Sequence, residues 1–421
     1  MRGVAGVLGL LLAFSASAAR VDDLRAAQAL LWKKRYAEAA RIYRGILDKT
    51  PNDVDARKGL AMAEYWSGDF RAAWRDYAAV VRARPRDVEA RKALADIEAT
   101  MRPLFATDDD VVSDDQPLRR AKASAGYTFF SDPLTKWTAT AGTYFLSARS
   151  LGFGSATAPF AAIAGSTVLP SARLRAGGSL RVFRFPDGET KPLGGVTLGR
   201  GNVTLDLDRH ELLYTATSLR AHASETTATL GWSRSSDASS SAAALHAVRY
   251  FDGNSGRAAD AYHLARIARS PISVGASVAI RDSDESRFRL VGASAAPLPD
   301  GGFAYSYAAR YDPYWTPRNL REARAIVAAT LNAGRTAIHL HADAGIGRDD
   351  DLLFGPSSGA TAAVPLFPTP IEVARTFHPW RLSADAVVPL RGAFTASIGV
   401  EHQTTVFYRA DAIHFGLSGR L

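Results

Sequence analysis

The chain has 421 residues and a formal net charge of +9, and it contains no cysteine. Its length exceeds that of one small domain, and the lack of cysteine excludes disulfide bonds, thiol chemistry and a lipid-anchored amino-terminal cysteine. The positive charge is compatible with a cationic interior that attracts anionic or polar solutes, and equally with ordinary arginines in loops.

Residues 1–19 have the composition of a secretory signal peptide. Arg2 supplies the positive start, residues 4–14 form a short apolar core, and Ala16-Ser17-Ala18 offers small side chains for cleavage. The apolar core is shorter than the roughly 20 residues that a membrane-spanning helix requires. We therefore expect an exported protein, for which nucleic acid is a poor partner.

Residues 20–101 repeat with a period of 34 residues. Positions one period apart carry the same kind of side chain: Tyr36 and Phe70, Ala39 and Ala73, Tyr43 and Tyr77, and Pro51 and Pro85. This period and pattern resemble the tetratricopeptide repeat, in which each repeat is a pair of helices. We predict a small all-α domain of two repeats, followed by a capping helix over residues 88–101.

The resemblance to tetratricopeptide repeats also implies a binding surface, because the first helix of each pair lines a concave groove in that family. By position, five side chains would face the groove: Gln28, Trp32, Lys58, Met62 and Trp66. A protein partner or a polysaccharide would bind there. The alternative is that both tryptophans pack against neighbouring helices.

Residues 102–119 carry two acidic runs, Asp108-Asp109-Asp110 and Asp114-Asp115. Like charges repel and keep a segment extended, so we predict a solvated linker. Calcium binding is the alternative, but the segment lacks the glycine turn and the distal glutamate of a calcium loop. We expect no metal here.

Apolar and polar residues alternate through residues 120–421, as in strands with two different faces. The alternation is clearest over residues 272–281, 338–347, 394–401 and 413–421. Aromatic residues lie near the ends of these segments, as they do at the two interfaces of a membrane. The segments are longer than strands of a soluble sandwich, which average about 5–6 residues.

These features predict an all-β transmembrane antiparallel barrel over residues 120–421. Such a barrel must close on itself, because open strand edges cannot face hydrocarbon. A spacing near 19 residues between turns gives about 16 strands, and about 14 is the alternative, both even as single-chain bacterial barrels require.

Charged and polar side chains fall on the expected interior face: Arg173, Arg175, Arg181, Arg281, Arg310, His339, His341, Asp343, Arg381, Asp385 and Glu401. Charges of both signs across a pore create a transverse field that selects polar solutes. The alternative is that they form salt bridges that stiffen the barrel.

His339, His341 and Asp343 share one strand face and could hold a metal or support general base catalysis. No further residue in the sequence completes a ligand set, and no serine or histidine stands out as a nucleophile or base. We therefore expect no metal, no cofactor and no enzymatic activity.

A signal peptide, tetratricopeptide repeats and a carboxy-terminal barrel of about 300 residues resemble one group of bacterial outer-membrane proteins. These are the exopolysaccharide export porins of the cellulose-synthase-subunit and poly-N-acetylglucosamine types, together with the smaller YaiO-like proteins. The segment from Tyr311 to Pro317 resembles the Tyr-aromatic-x-Pro element of those barrels. The resemblance implies transport, with repeats in the periplasm that receive polymer or dock a synthase.

In such a protein Tyr311, Tyr314 and Trp315 could stack on sugar rings. They could equally anchor a loop at the membrane interface. The sequence also leaves two other functions open: a general or solute-selective porin, and a scaffold or receptor barrel with a closed lumen.

Overall fold

The computed structural model describes eleven stretches of the chain: residues 20–115, 118–147, 154–213, 216–268, 270–285, 294–297, 299, 303–306, 314–354, 370–406 and 408–421. The predicted signal peptide lies outside them. The chain divides into two compact units, one containing the helices that precede residue 103 and the other containing nearly all the strands.

The helical unit contains five helices in its described part: α1 (20–32), α2 (Tyr36–Lys49), α3 (Val54–Ser67), α4 (Phe70–Ala83) and α5 (Val88–Thr100). They form two helix pairs and a capping helix, as the 34-residue period predicts. An aspartate precedes each of the last three helices, and its carboxylate accepts backbone N–H groups of the first turn: Asp53 for α3, Asp69 for α4 and Asp87 for α5.

The core of the helical unit is built from small and aromatic side chains. Ala39 and Ala73 are fully buried, and Tyr43 and Tyr77 are almost so. A Cβ atom at Gly59 would lie 2.3–2.4 Å from atoms of the Tyr43 ring. The repeat therefore needs glycine at this position, since the ring lies directly on the backbone of α3.

The second unit is a barrel whose strands run as follows: β1 (Leu104–Thr107), β2 (Asp109–Asp114), β3 (Arg119–Asp132), β4 (Thr135–Ser147), β5 (Ser155–Leu169), β6 (Leu174–Arg184), β7 (Thr190–Arg200), β8 (Val203–Glu211), β9 (Ser224–Ser235), β10 (Ser239–Tyr250), β11 (Ser255–Arg266), β12 (Ile272–Ser283), β13 (Ser294–Pro297), β14 (Phe303–Ser306), β15 (Leu320–Ala333), β16 (Thr336–Phe354), β17 (Pro370–Phe377), β18 (Trp380–Pro389), β19 (Phe394–Thr404) and β20 (Arg409–Arg420). A short helix, α6 (Ala216–Arg220), lies between β8 and β9.

The barrel closes where its first and last strands meet. β1 and β2 pair with β20 along one edge and with β3 along the other, all antiparallel. They act as one strand interrupted at Asp108. The prediction of an acidic linker over residues 102–119 is therefore wrong for residues 104–114.

The acidic run can enter the wall because cations on β3 offset it. Lys122 forms an ion pair with Asp108, and Arg120 lies 3.5 Å from Asp110. Repulsion between neighbouring aspartates along the sequence is thus balanced by attraction across strands, which a reading of the local sequence does not reveal.

The closed sheet has sixteen antiparallel strands. β17 and β18 both pair with β16 and form one strand broken at His378 and Pro379, where proline has no N–H to donate. β13 and β14 form a separate hairpin. The predicted count of about 16 is confirmed and 14 is wrong, although residues 120–421 supply fifteen of the strands and residues 104–114 the sixteenth.

The two ends of the barrel differ in their connections. The end where β1 begins and β20 finishes carries short turns such as residues 133–134, 201–202 and 334–335, and we call it the short-turn end. The opposite end carries the connections over residues 212–223 and 284–319, and we call it the long-loop end. No helix in the described stretches is long and apolar enough to cross a membrane.

Candidate functional site

The wall of the barrel has an apolar outer face and a largely polar inner face. Large apolar side chains on the outer face are exposed, for example Leu205 at 53%, Leu245 at 59% and Ile346 at 56%. Their neighbours along each strand point inward, as Asp206, His246 and Gly345 do. This is the arrangement of a barrel with hydrocarbon outside and water inside.

A buried ion cluster lies on the inner face of β15, β16 and β18. The Asp343 side chain is only 2% exposed and accepts hydrogen bonds from Arg324 Nη1 at 2.6 Å and Arg381 Nε at 2.9 Å. His341 Nε2 lies 2.8 Å from the same carboxylate and 3.0 Å from Arg381 Nη2. Glu322 also pairs with Arg324.

This cluster decides between the two interpretations of three predicted pore residues. The Asp343 carboxylate contacts His341 on its own strand, Arg381 on β18 and Arg324 on β15, so the opposite charges of Asp343 and the arginines offset one another and link three strands. These residues fit the salt-bridge alternative rather than a field across the pore. His341 and Asp343 are also engaged with arginines, whose positive charge opposes metal binding.

Other predicted pore residues lie on the inner face with fewer partners. Arg181 Nη1 donates to both oxygens of Glu211, at 2.9 and 2.7 Å. Arg175 donates to the Gly201 carbonyl at 3.2 Å, and His339 Nδ1 lies 3.2 Å from the Thr330 hydroxyl.

Three further predicted pore residues lie on the inner face without a charged partner among the described residues. Arg281, Asp385 and Glu401 alternate onto the inner face and form no ion pair with any described residue.

Arg173 does not line a strand, which corrects its prediction as a pore residue. It ends the turn between β5 and β6 in a left-handed conformation, with φ of 51°. The alternation of polar and apolar residues extends to Arg173, but β6 begins one residue later, at Leu174. Arg310 and Tyr311 lie outside the described residues.

Tyr314 cannot stack on a sugar, because its side chain is fully buried. Its ring packs on Tyr250 with centroids 4.6 Å apart, and its hydroxyl donates to the Asp252 carboxylate at 2.9 Å. Tyr314 therefore attaches the segment before β15 to the turn between β10 and β11. This agrees with the alternative that Tyr314 anchors a loop and does not bind sugar. Trp315 is partly buried.

A segment at the long-loop end packs against the inner face. Within residues 212–223, Ala216 and Leu219 of α6 are almost fully buried. They belong to an apolar cluster with the inward side chains of β4, β5, β6 and β7: Leu146, Ala156, Ala158, Phe183 and Leu193. The segment thus narrows the lumen from one side, and we call it the inner segment.

A histidine fastens the inner segment to the turn between β6 and β7. His222 Nε2 lies 2.8 Å from Asp187 Oδ2, its Nδ1 lies 3.1 Å from Glu189 Oε2, and its ring packs on Phe185 at 4.3 Å. The backbone N–H of Glu189 donates to Asp187 and, with nearby His222, holds the pKa of that carboxyl below its usual range.

Asp187, Glu189 and His222 are also the one group in the described stretches whose ligand atoms lie close enough together to hold a metal ion. The sequence does not single out Asp187, Glu189 and His222, since they lie in two different connections between strands. The sequence gives one indication that the inner segment packs on the wall: its apolar residues Leu212, Leu213 and Leu219, which are unusual in an exposed connection.

The predicted groove residues of the repeats are mostly accessible. Trp32 is 82% exposed and Trp66 60%, so neither belongs to the helical core. Gln28 is exposed and Met62 partly so. Lys58 is not free, because Asp87 at 2.9 Å and Glu89 at 2.7 Å bind its ammonium group. A role in partner binding stays a prediction.

Comparison with known families bears on the helical unit. Residues 30–97 match the tetratricopeptide repeat family, in agreement with the 34-residue period. No curated protein matches the chain.

Among solved structures, the chain is similar to several barrels. OccK3 (OpdO) of Pseudomonas aeruginosa is 11% identical, with a TM-score of 0.35, covering 78% of this chain and 97% of that one. The translocator domain of the autotransporter NalP of Neisseria meningitidis is 12% identical, with a TM-score of 0.26, covering 82% and 98%. OpdK of Pseudomonas aeruginosa with vanillate is 7% identical, with a TM-score of 0.37, covering 76% and 98%. These likenesses are too weak to bear on function.

Proposed function

We propose that the protein is a channel of the bacterial outer membrane that passes polar solutes and performs no catalysis. The observation that carries the proposal is the contrast between an apolar outer face and a polar inner face on a closed wall of sixteen strands. Barrels of about 16 strands enclose an aqueous channel. In such proteins the short turns face the periplasm, and since the repeats directly precede β1, which begins at the short-turn end, we propose a periplasmic location for them as well.

The inner segment is the proposed constriction of this channel. It packs on the inner face of β4 to β7, and His222 holds it against Asp187 and Glu189. Arg281, Asp385 and Glu401, which form no ion pair with a described residue, give the lumen charges of both signs, which favour polar solutes over apolar ones.

Electrical recording tests this proposal. The purified protein in planar bilayers is expected to show ion conductance, and His222→Ala is expected to raise it, because the inner segment loses its attachment. His263→Ala is the matched control, since Ser241 of the wall is the one hydrogen-bond partner of His263 among the described residues. A wild-type protein and a His222→Ala variant that both fail to conduct would leave the closed scaffold or receptor barrel as the better proposal.

Export of an extracellular polysaccharide is the second candidate function. The exposed faces of Trp32 and Trp66 favour it, because a repeat in the periplasm could use them to hold a polymer or a synthase partner. The burial of Tyr314 removes one of the expected sugar-stacking rings. Deletion of the gene is expected to abolish a secreted glycan if export is the function, and unchanged glycan would exclude it.

A further inference from the structure

Arginines mark the border of the apolar outer face at the long-loop end. Going towards the long-loop end, the outward position beyond the last apolar side chain is an arginine on five strands. The pairs are Val182 and Arg184, Leu207 and Arg209, Ala247 and Arg249, Ala323 and Arg321, and Ile346 and Arg348. All five are exposed. Because the apolar stripe contacts acyl chains, its border is where lipid headgroups begin.

The strand register brings four of these arginines together in two groups. Arg209 lies opposite Thr226, which in turn lies opposite Arg249, so one row across β8, β9 and β10 carries both arginines. Arg321 of β15 lies directly opposite Arg348 of β16. Directly opposed residues have Cβ atoms about 5 Å apart.

No described residue neutralises the charges of these two groups. Among the described residues, Arg209, Arg249, Arg321 and Arg348 form no ion pair. Nearby Arg257 does have a partner, Asp282 Oδ2 at 3.3 Å. Like charges directly opposed on a sheet, as Arg321 and Arg348 are, repel each other, and a bound anion would relieve that repulsion.

We propose that this belt of arginines binds phosphorylated headgroups of membrane lipids in the leaflet at the long-loop end. A guanidinium presents parallel N–H groups that match two phosphate oxygens. Two opposed arginines at the border of the hydrocarbon layer can hold one phosphate while the acyl chains lie on the apolar stripe below. The proposal depends on the membrane-spanning wall and not on what passes through the lumen.

Lipid titration of the purified full-length protein in a nonionic detergent tests the belt. The probes are bisphosphorylated lipid A, phosphatidylcholine and inorganic pyrophosphate. Wild-type protein is expected to bind lipid A more tightly than the other two, and added salt should weaken that binding by screening. Two double variants, Arg209→Gln with Arg249→Gln and Arg321→Gln with Arg348→Gln, are each expected to bind lipid A at least about tenfold more weakly.

Arg200→Gln with Arg234→Gln is the matched control. Both arginines are exposed and face outward at the short-turn end, on strands that are not adjacent. This variant should bind lipid A as the wild type does. Should a double variant fail to fold, the single changes Arg249→Gln and Arg348→Gln are expected to weaken binding several-fold.

Three results would overturn the proposal. Unchanged lipid A binding in folded belt variants would mean that the arginines only extend into the aqueous phase. Equal loss in the control would mean that any outward arginine suffices. Pyrophosphate binding as tight as that of lipid A would mean a site for free phosphate instead of a lipid surface. Conductance enters none of these readouts, so the channel proposal can fail without this one.

Discussion

The helical repeats and the barrel expose different kinds of side chain. In the repeats, alanines and tyrosines such as Ala73 and Tyr77 are buried, and charged residues mostly cover the surface. In the barrel, Leu205 and Ile346 are exposed while the Asp343 carboxylate is buried. The difference teaches that burial alone does not identify a core, because the medium outside each unit decides which side chains must be hidden.

The largest expected effect comes from removing the buried charge of the barrel. Asp343→Asn would leave Arg381 without its anion and Arg324 with Glu322 alone, and loss of one partner from a buried ion cluster costs about 3–5 kcal/mol. Thermal unfolding in detergent measures it. Asp385→Asn is the control, because Asp385 faces inward without an ion pair, and similar unfolding temperatures for both variants would contradict the cluster's stabilising role.

A smaller effect is expected in the core of the repeats. Gly59→Ala would place a methyl group against the buried Tyr43 ring, and such overpacking costs about 1–3 kcal/mol. Gly45→Ala is the matched control in the neighbouring helix, since its Cβ would meet nothing within 4 Å. That variant should be neutral or stabilising. Denaturation followed by far-ultraviolet circular dichroism distinguishes the two, and an equal loss would refute the packing argument.

Glu64, a buried acid of the repeats, should make their stability depend on pH. Burial raises the pKa of Glu64 from 4.5 to about 7, although Arg44 at 3.0 Å opposes the rise and nearby Asp76 adds to it. Because the folded-state pKa is raised, the contribution of Glu64 is fully present below pH 4.5 and is lost as the pH rises through 7.

Substitution isolates this dependence. Glu64→Gln keeps the shape and cannot ionise, so its stability relative to wild type should increase between pH 4.5 and 7 and then level off. Helix unfolding measured across this range checks the sign. A stability difference that is constant with pH would show that Glu64 is already ionised when the unit is folded.

The smallest effect on stability is expected at the exposed tryptophans. Trp32→Ala and Trp66→Ala should change the unfolding free energy by less than about 0.5 kcal/mol, as surface substitutions do. Tyr77→Ala, in the core, should cost about 3–5 kcal/mol. If a partner binds the groove, the tryptophan variants weaken that binding without unfolding the repeats; a large loss of stability would instead make them part of the core.

The sequence by itself determined the elements and their faces. The 34-residue period specifies the helix pairs, and the alternation of apolar and polar residues specifies long strands with a membrane-facing side, because both patterns repeat the geometry of a single element. About 16 strands followed from spacing alone. The inward position of Asp343, Arg381 and His341 followed from alternation as well.

Only the tertiary structure decided which elements meet. In the folded chain, residues 104–114 form the closing strand and the inner segment packs on the wall. Tyr314 is buried, and Arg321 lies opposite Arg348. Each of these depends on contacts between residues far apart in the chain. Periodicity describes one element at a time, whereas strand pairing and charge balance depend on the neighbour across the sheet.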